Sequence, residues 1–429
     1  MSANISGVTA PLKERLETAF LAPDAERLLG ARSAFAPLAS SPQANRIGNA
    51  LLWPLAVIMV IHRVFFLAIN GSVTDDFSTV FFALKRFRDG APVYSENYQF
   101  VDPHYLYNPG ATLLLSPMGL LDHFFLSRTL FICGNAAAII LALALLTRMF
   151  GASLKSMAFP LAITGAFLTE AVKNTLVFAN INGVLLLVFV GFLWALLSGR
   201  NVLAGVLIGL AILVKPLFIP LLFLPLVRMQ WSTLITGVAV PAVFNLAGWF
   251  FVPGASDYWT VTTPYLKEVR DYSNSSLPGI MAYFGAPGWL QNVLFVVFAL
   301  AVAAGVILLL RVRRADPLAW ACATAGLLLA GVFFLSSLGQ MYYSMMLFPL
   351  VFACIRVPSL GANPMVWLGF ILCLFPAKWD SDRWRDYGRW LNFFESTAGW
   401  AILILALSTT AVAWYYLGRK APRTSLSDA

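Results

Sequence analysis

This sequence contains few charged residues: Asp, Glu, Lys and Arg make up only 11% of its 429 residues. A soluble domain usually carries about 25%, so a soluble globular protein is excluded for most of the chain. Hydrophobic residues reach 59%, and many separate apolar runs could cross, or nearly cross, about 30 Å of hydrocarbon. The composition therefore predicts an all-α polytopic membrane protein with no large soluble domain.

Cysteine and histidine are also scarce. The four cysteines lie in apolar runs without CxxC spacing, which supports neither a disulfide framework nor a metal site. The three histidines give little basis for a Ser/His/Asp hydrolase. Neither a Walker motif nor GxGxxG occurs, so nucleotide binding is not supported. We expect no cofactor and no metal.

The net charge of +9 does not indicate nucleic-acid binding, because basic residues gather at the ends of apolar runs, as in residues 311–314 and 418–420. Lys and Arg near span ends favour the cytoplasm. Both chain ends are therefore predicted to be cytoplasmic, as residues 1–47 and 421–429. Three sizeable loops then fall on the extracytoplasmic side: residues 70–108, 253–288 and 377–396.

Between these ends we expect about 10–13 transmembrane helices. The clear spans are 48–69, 125–147, 232–252, 289–310, 317–337 and 397–417. Shorter or broken candidates are 109–121, 156–170, 183–197, 202–227, 338–354 and 363–376.

The segment 202–227 is ambiguous, because Lys215-Pro216 interrupts it and proline kinks or breaks a helix. It is either one kinked span or a tight hairpin. Arg200 and Arg228 flank it, and both prefer the cytoplasm. This favours a hairpin with Lys215 near the outer face, and it would make 109–121 a re-entrant piece.

Two adjacent aspartates, Asp75 and Asp76, follow the first span. Neighbouring like charges raise one pKa, which suits a group that accepts a proton. Alternatively, they cap the following helix, FSTVFFALKRF. That helix carries apolar and basic faces, so we expect it to lie on the membrane surface.

Polar and aromatic side chains interrupt three further apolar stretches. They could contact a sugar, or they could be interfacial aromatic belts and helix–helix hydrogen bonds. These candidates are Asp102, His104, Tyr105 and Tyr107 in FVDPHYLYNPG, Asn180 and Asn182 in NTLVFANING, and Gln340 and Tyr343 in SLGQMYYSMMLFP.

Cations beside the bilayer are candidates for binding a lipid phosphate. Lys215 is alone in an apolar run, and it either snorkels to water or meets an anion. Arg270 either pairs with Asp271 or binds phosphate through its guanidinium. Lys85, Arg86 and Arg88 form a third basic group. Such an architecture suits an enzyme that uses a lipid-phosphate-linked donor, and it would equally suit a transporter or flippase.

Six motifs are each weak evidence alone but form a specific pattern when they occur together in this order: TDDF, VDPHYLYNPG, NTLVFANING, LVKPLFIPLLFLPL, RDYSNSS and YYSMMLFP. Together they resemble the AftC-like arabinofuranosyltransferases of mycobacteria and corynebacteria, which are GT-C-class glycosyltransferases. The resemblance covers roughly residues 48–420, which become the predicted catalytic transmembrane domain. It implies a GT-C fold in the plasma membrane, with the active site on the extracytoplasmic side and amphipathic helices in the first outer loop.

The resemblance also implies a reaction. The donor would be decaprenylphosphoryl-arabinofuranose and the acceptor an arabinan, giving α-1,3 branches in arabinogalactan or lipoarabinomannan with inversion at the anomeric carbon. The protein would work as a monomer in the bilayer. Alternatives are a polyprenyl-phosphomannose-dependent mannosyltransferase and a lipid-linked sugar translocase. A histidine is frequent near the position of Gln340 in the mannosyltransferases, and its absence favours arabinose.

The resemblance assigns roles as well. Asp76 is the expected base, because family members place an aspartate before an apolar residue there, and Asp75 is second. Lys215, Arg270 and the group Lys85, Arg86 and Arg88 compete for the donor phosphate. The remaining polar and aromatic candidates would bind sugar or acceptor.

Overall fold

The chain forms a helical bundle. This computed structural model describes residues 21–22, 25–30, 42–71, 76–97, 104–379 and 381–420, and none of these lies in a β-strand. Asp75 and Asp102 lie outside the described residues.

Six helices are long and apolar enough to cross a membrane: Pro42–Ile69, Phe124–Met149, Trp231–Phe251, Gly288–Val312, Pro317–Leu335 and Trp390–Leu417. They confirm the six clear spans expected from the sequence. The first begins ahead of the predicted boundary at residue 48, and the last is part of a longer helix, Arg385–Lys420. Shorter apolar segments are Ala158–Leu168, Asn182–Leu197, Asn201–Val214, Pro216–Val227, Met341–Arg356 and Pro364–Leu374.

Short helices connect these segments. They are Ala25–Leu29, Asp76–Arg88, Pro109–Leu115, Glu170–Val177, Ala255–Asp257, Thr263–Lys267, Leu277–Tyr283 and Pro358–Gly361. Three 3₁₀ segments, Ser116–Leu120, Pro216–Leu222 and Met341–Leu347, follow breaks in the apolar sequence. In each of the first two, proline at the start removes a backbone donor and prevents a regular continuation.

The hairpin alternative at Lys215-Pro216 is the one that the structure shows. Gly205 and Gly209 of helix Asn201–Val214 pack closely against Trp231–Phe251, and both helices run in the same direction. The chain must return between them, and Pro216–Val227 is the returning segment. The absence of a side chain at the two glycines allows the backbones to approach closely.

The helix Pro109–Leu115 is re-entrant rather than spanning. It begins against Gly248, where an added Cβ would lie 2.5 Å from the backbone carbon of Pro109. The chain is back at the same end of the bundle by Gly119, which packs on Leu84. Asn108 caps this helix by accepting a hydrogen bond from the backbone N–H of Ala111 at 2.9 Å.

The helix Asp76–Arg88 lies across one end of the bundle. Its apolar residues contact the helix Phe124–Met149, with ring centroids 5.0 Å apart for Phe77 and Phe131 and 5.2 Å apart for Phe81 and Phe124. The apolar face of this amphipathic helix is therefore covered in part by the rest of the protein. We call this end of the bundle the aspartate end.

The opposite end, which we call the basic end, carries charges of mainly one sign. An ion pair joins Arg356 to Asp316 there, with N and O 3.2 Å apart. Its basic residues lie at the outer ends of the long helices or in the turns between them: Arg148, Lys155, Arg200, Arg228, Arg311, Arg313, Arg314 and Arg356.

Candidate active site

A cavity of about 380 Å³ opens at the aspartate end. Much of its wall comes from places where regular α-helix is interrupted: segment 104–108, the break at Lys215, and segment 336–343, which runs into the 3₁₀ helix Met341–Leu347. Asp76 and Arg270 also line it. Segments that are distant in the sequence thus bring two cations and one carboxylate to the same space.

Asp76 lies at the first position of the helix Asp76–Arg88. Its backbone N–H donates to the carbonyl oxygen of Phe178 at 3.0 Å, which fixes where that helix begins. The hydroxyl of Tyr342 lies 3.5 Å from Asp76 Oδ2. The carboxylate is near the N-terminus of its helix, where the helix dipole interacts favourably with a negative charge.

Lys215 lies at the break between Asn201–Val214 and the 3₁₀ segment that follows. Its Nζ donates to Asn182 Oδ1 at 2.9 Å. The same nitrogen lies 4.7 Å from the ring centroid of Tyr343 and 5.7 Å from that of Tyr342, within the range of cation–π attraction. Lys215 interacts electrostatically with Asp76.

Arg270 approaches the cavity from the loop after helix Trp231–Phe251. Its guanidinium carbon lies 4.7 Å from the ring centroid of Tyr265. Asn274 ties this loop to segment 336–343, because its Nδ2 donates to Ser337 O at 2.8 Å and its Oδ1 accepts from Gly339 N at 2.9 Å. The loop that carries the guanidinium is therefore held against the cavity wall.

Segment 104–108 supplies two of the predicted sugar-binding residues, His104 and Tyr107. His104 Nδ1 lies 3.7 Å from Glu96 Oε2, and its ring packs edge-on to Tyr265 at 5.2 Å. Burial first, and then the negative charge of Asp76, raise the pKa of Tyr107 well above its usual value. The Tyr107 phenol therefore stays protonated near neutral pH and can donate a hydrogen bond.

Gln340 and Tyr343, also predicted from the sequence, line the same cavity. The structure therefore brings together seven predicted residues: Asp76, His104, Tyr107, Lys215, Arg270, Gln340 and Tyr343.

Three other predicted sugar-binding residues that the structure describes, Tyr105, Asn180 and Asn182, do not line this cavity. Tyr105 is fully buried, and its hydroxyl lies 2.8 Å from Thr112 Oγ1. Asn180 and Asn182 are buried in the turn behind Asp76 and Lys215.

The basic group of the helix Asp76–Arg88 also lies away from the cavity. Arg86 pairs with Glu96 at 2.6 Å. Arg88 and Lys85 pair with Asp122, at 2.7 Å and 3.8 Å. These carboxylates compete with any phosphate for the three cations.

The structure adds residues that are not among the predicted site residues, although Asn108 and Tyr342 lie in the motifs that supply them. Tyr342 contacts Asp76, and Asn108, Tyr258, Ser336 and Ser337 line the cavity. Tyr342 is adjacent to a predicted residue and shares its motif. Tyr258 has no comparable signal in the sequence, because it follows a span in an otherwise ordinary aromatic stretch.

Among the described residues, no group of three or more His, Cys, Asp or Glu is arranged to hold a metal ion. The cavity offers instead one carboxylate, one ammonium, one guanidinium and several hydroxyl donors. That set can accept a proton at one place and stabilise an anion at another.

Comparisons with known proteins agree with this chemistry. Residues 105–337 match glycosyltransferase family 87. The chain is 53% identical to an α-(1→3)-arabinofuranosyltransferase of Corynebacterium glutamicum over 388 residues, which is 89% of this chain and 93% of that protein. The α-(1→3)-arabinofuranosyltransferases of Mycolicibacterium smegmatis and Mycobacterium tuberculosis are 42% and 43% identical to this chain. The matches cover 87% and 90% of this chain and 88% and 90% of those proteins.

Proposed function

Because this chain belongs to glycosyltransferase family 87 and to its α-(1→3)-arabinofuranosyltransferases, we propose that the large cavity is the active site of an arabinofuranose transfer. The enzyme transfers arabinofuranose from decaprenylphosphoryl-arabinose to an arabinan acceptor, with inversion. The products are α-1,3 branches in arabinogalactan or lipoarabinomannan. The observation that supports this most is the placement of Asp76, Lys215 and Arg270 around one cavity.

An inverting transfer is a single displacement, so it requires one base on the acceptor hydroxyl. Asp76 takes the proton from that hydroxyl while the hydroxyl oxygen forms a bond to the anomeric carbon. The bond between the anomeric carbon and the phosphate oxygen breaks at the same time, and its electron pair stays on the phosphate. The Tyr342 hydroxyl, 3.5 Å from Asp76 Oδ2, can hold the carboxylate in orientation.

The leaving phosphate needs positive charge around it. Lys215 and Arg270 are the cations that line the cavity. Each is held over an aromatic ring, with 4.7 Å to the centroid in both cases. Preorganised charge in a confined site stabilises a developing anion without reorganisation during the reaction. Lys85, Arg86 and Arg88 have carboxylate partners elsewhere and are not assigned this role.

His104, Tyr107, Gln340 and Tyr343 are the candidates for the pentose or the acceptor. They offer aromatic faces and hydrogen-bond donors in a cavity that is also lined by the hydrophobic side chains of Val332 and Phe333. A furanose has both apolar C–H faces and hydroxyl groups, so a mixed lining of this kind suits it.

The charge distribution supports an extracytoplasmic cavity in the plasma membrane. Basic residues dominate the end of the bundle opposite Asp76, whereas the aspartate end carries both signs. Because Lys and Arg near span ends favour the cytoplasm, the basic end is assigned to that side. The donor phosphate at the outer surface and an arabinan arriving from water then meet at Asp76.

The test is a transfer assay with purified protein in detergent, a radiolabelled decaprenylphosphoryl-arabinofuranose donor and an arabinan acceptor. We expect an α-1,3-linked product that requires both substrates. Preferential use of polyprenyl-phosphomannose in a competition between the two donors would reject the arabinosyl assignment. Movement of the donor across liposomes with no product formed would indicate a translocase.

A further inference from the structure

One short turn is hydrogen-bonded to two of the residues assigned to the reaction, Asp76 and Lys215. We call residues 178–182 the asparagine turn. Phe178 O accepts a hydrogen bond from the backbone N–H of Asp76 at 3.0 Å. At the other end of the turn, Asn182 Oδ1 accepts from Lys215 Nζ at 2.9 Å. The backbone of Asp76 and the ammonium of Lys215 are thus attached to the same five-residue segment.

The turn has a fixed and unusual shape. Ala179 adopts φ 47°, in the left-handed region that residues other than glycine seldom occupy. Asn180 Oδ1 accepts from the backbone N–H of Asn182 at 3.2 Å, which sets the start of the helix Asn182–Leu197. All three residues are at most 2% exposed. Such a conformation persists only where the surrounding structure enforces it.

A second, much smaller cavity of about 10 Å³ lies behind Asp76. Asp76, Tyr107 and Asn180 line it, and the first two also line the large cavity. Asn180 Nδ2 is buried and has no acceptor among the described protein atoms. The space holds about one water molecule, which could accept from Asn180 and donate to the carboxylate.

We propose that Asn180 and Asn182 are positioning residues that set the separation of Asp76 and Lys215, rather than residues that bind sugar. Neither side chain lines the large cavity. Asn182 holds the ammonium directly, and Asn180 holds the backbone of Asn182. This inference rests on the proposed function, because it assigns Lys215 to the leaving phosphate.

The first test is Asn182→Ala in the purified enzyme. A hydrogen bond to a charged group of this kind corresponds to about a 10- to 100-fold loss of kcat, and the acceptor KM should stay within about twofold. Asn363→Ala is the control, because Asn363 is an asparagine that caps a helix at the basic end of the bundle, away from the cavity, and it should retain full activity. Asn182→Leu keeps the branched shape of the side chain without its acceptor oxygen, and it replaces Asn182→Ala if that variant does not purify folded.

A double-mutant cycle with Lys215→Met separates positioning from a general structural effect. If Asn182 acts only through Lys215, adding Asn182→Ala to Lys215→Met causes no further loss. The cycle is read in kcat and also in donor affinity from thermal-shift titration, which needs no turnover. The proposal is overturned if the kcat losses of the two single variants multiply in the double variant. It is also overturned if Asn182→Ala raises the acceptor KM and leaves kcat unchanged. A wild-type enzyme that transfers no arabinofuranose would instead overturn the proposed function.

Asn180 is tested by comparing two substitutions. Asn180→Ser keeps a side-chain oxygen that can accept a hydrogen bond from the residue two positions on, whereas Asn180→Ala removes it. We expect Asn180→Ser to retain several-fold more of the wild-type kcat than Asn180→Ala, with the same acceptor KM. Equal activities for the two variants would remove Asn180 from the proposal.

Discussion

The substitution Asp76→Asn tests the proposed base most directly. The amide has nearly the same shape as the carboxylate, so it still offers an oxygen to the Tyr342 hydroxyl, 3.5 Å from Oδ2 in the native enzyme. It cannot accept the proton of an acceptor hydroxyl. General base catalysis is worth about 10²- to 10⁴-fold in rate, or about 2.7–5.5 kcal/mol of activation free energy. We expect kcat to fall by that factor.

The effect on stability should be far smaller. Asp76 is in the first turn of its helix, where a negative charge contributes about 0.3–1 kcal/mol through the helix dipole. The backbone hydrogen bond from Asp76 to Phe178 O does not depend on the side chain. Thermal unfolding in detergent should therefore show only a small shift, and the loss of activity cannot be explained by unfolding.

The assay is initial-rate transfer from labelled lipid donor to arabinan at saturating concentrations of both substrates. Asp257→Asn is the control, because Asp257 lies at the same end of the bundle outside the cavity, and it should behave like the wild type. A variant Asp76→Asn that keeps more than about a tenth of the wild-type kcat would refute the assignment of the base. Parallel measurement of Asp75→Asn then shows whether its neighbour has that role.

Three further results are expected. Lys215→Met should lower kcat by about 10²- to 10³-fold in the transfer assay, since it removes a cation from the leaving phosphate; an unchanged kcat would contradict this role. The double variant Lys85→Ala/Arg88→Ala should transfer arabinose within about twofold of the wild type, because exposed ion pairs contribute little, and a loss as large as that of Lys215→Met would restore the pair as phosphate ligands. Gly248→Ala should lower the thermal unfolding midpoint, because the new methyl group would lie 2.5 Å from the backbone of Pro109 and overpacking costs about 1–3 kcal/mol. An unchanged midpoint would contradict the close contact between Gly248 and Pro109.

The long spans could be predicted because their signal is local. An uninterrupted apolar run long enough for the hydrocarbon core has few alternatives to a spanning helix, and all six clear runs are long helices in the structure. The hairpin at Lys215-Pro216 could also be predicted, since Arg200 and Arg228 both favour the cytoplasmic side of the membrane. Charge placement decided what hydropathy alone left open.

Side-chain partners could not be predicted, because they depend on segments far apart in the sequence. Lys85 and Arg88 look as suitable for phosphate as Lys215 until Asp122, more than thirty residues later, is found beside them. Asn182 looks like a sugar ligand until Lys215 is found beside it. Composition gives the residue types that a site needs, but not which of them are already paired.

The breaks in the apolar sequence nevertheless indicate the site for a physical reason. Backbone outside helices leaves N–H and C=O groups unpaired, and within a membrane bundle it is tolerated only where protein or a water-filled cavity satisfies those groups. Segment 104–108, the break at Lys215 and segment 336–340 are such backbone, and all three line the large cavity. Water that satisfies these groups needs an open path, and a sugar acceptor arriving from solvent needs the same path. The interruptions and the catalytic groups therefore coincide because both require access to water at the end of an otherwise apolar bundle.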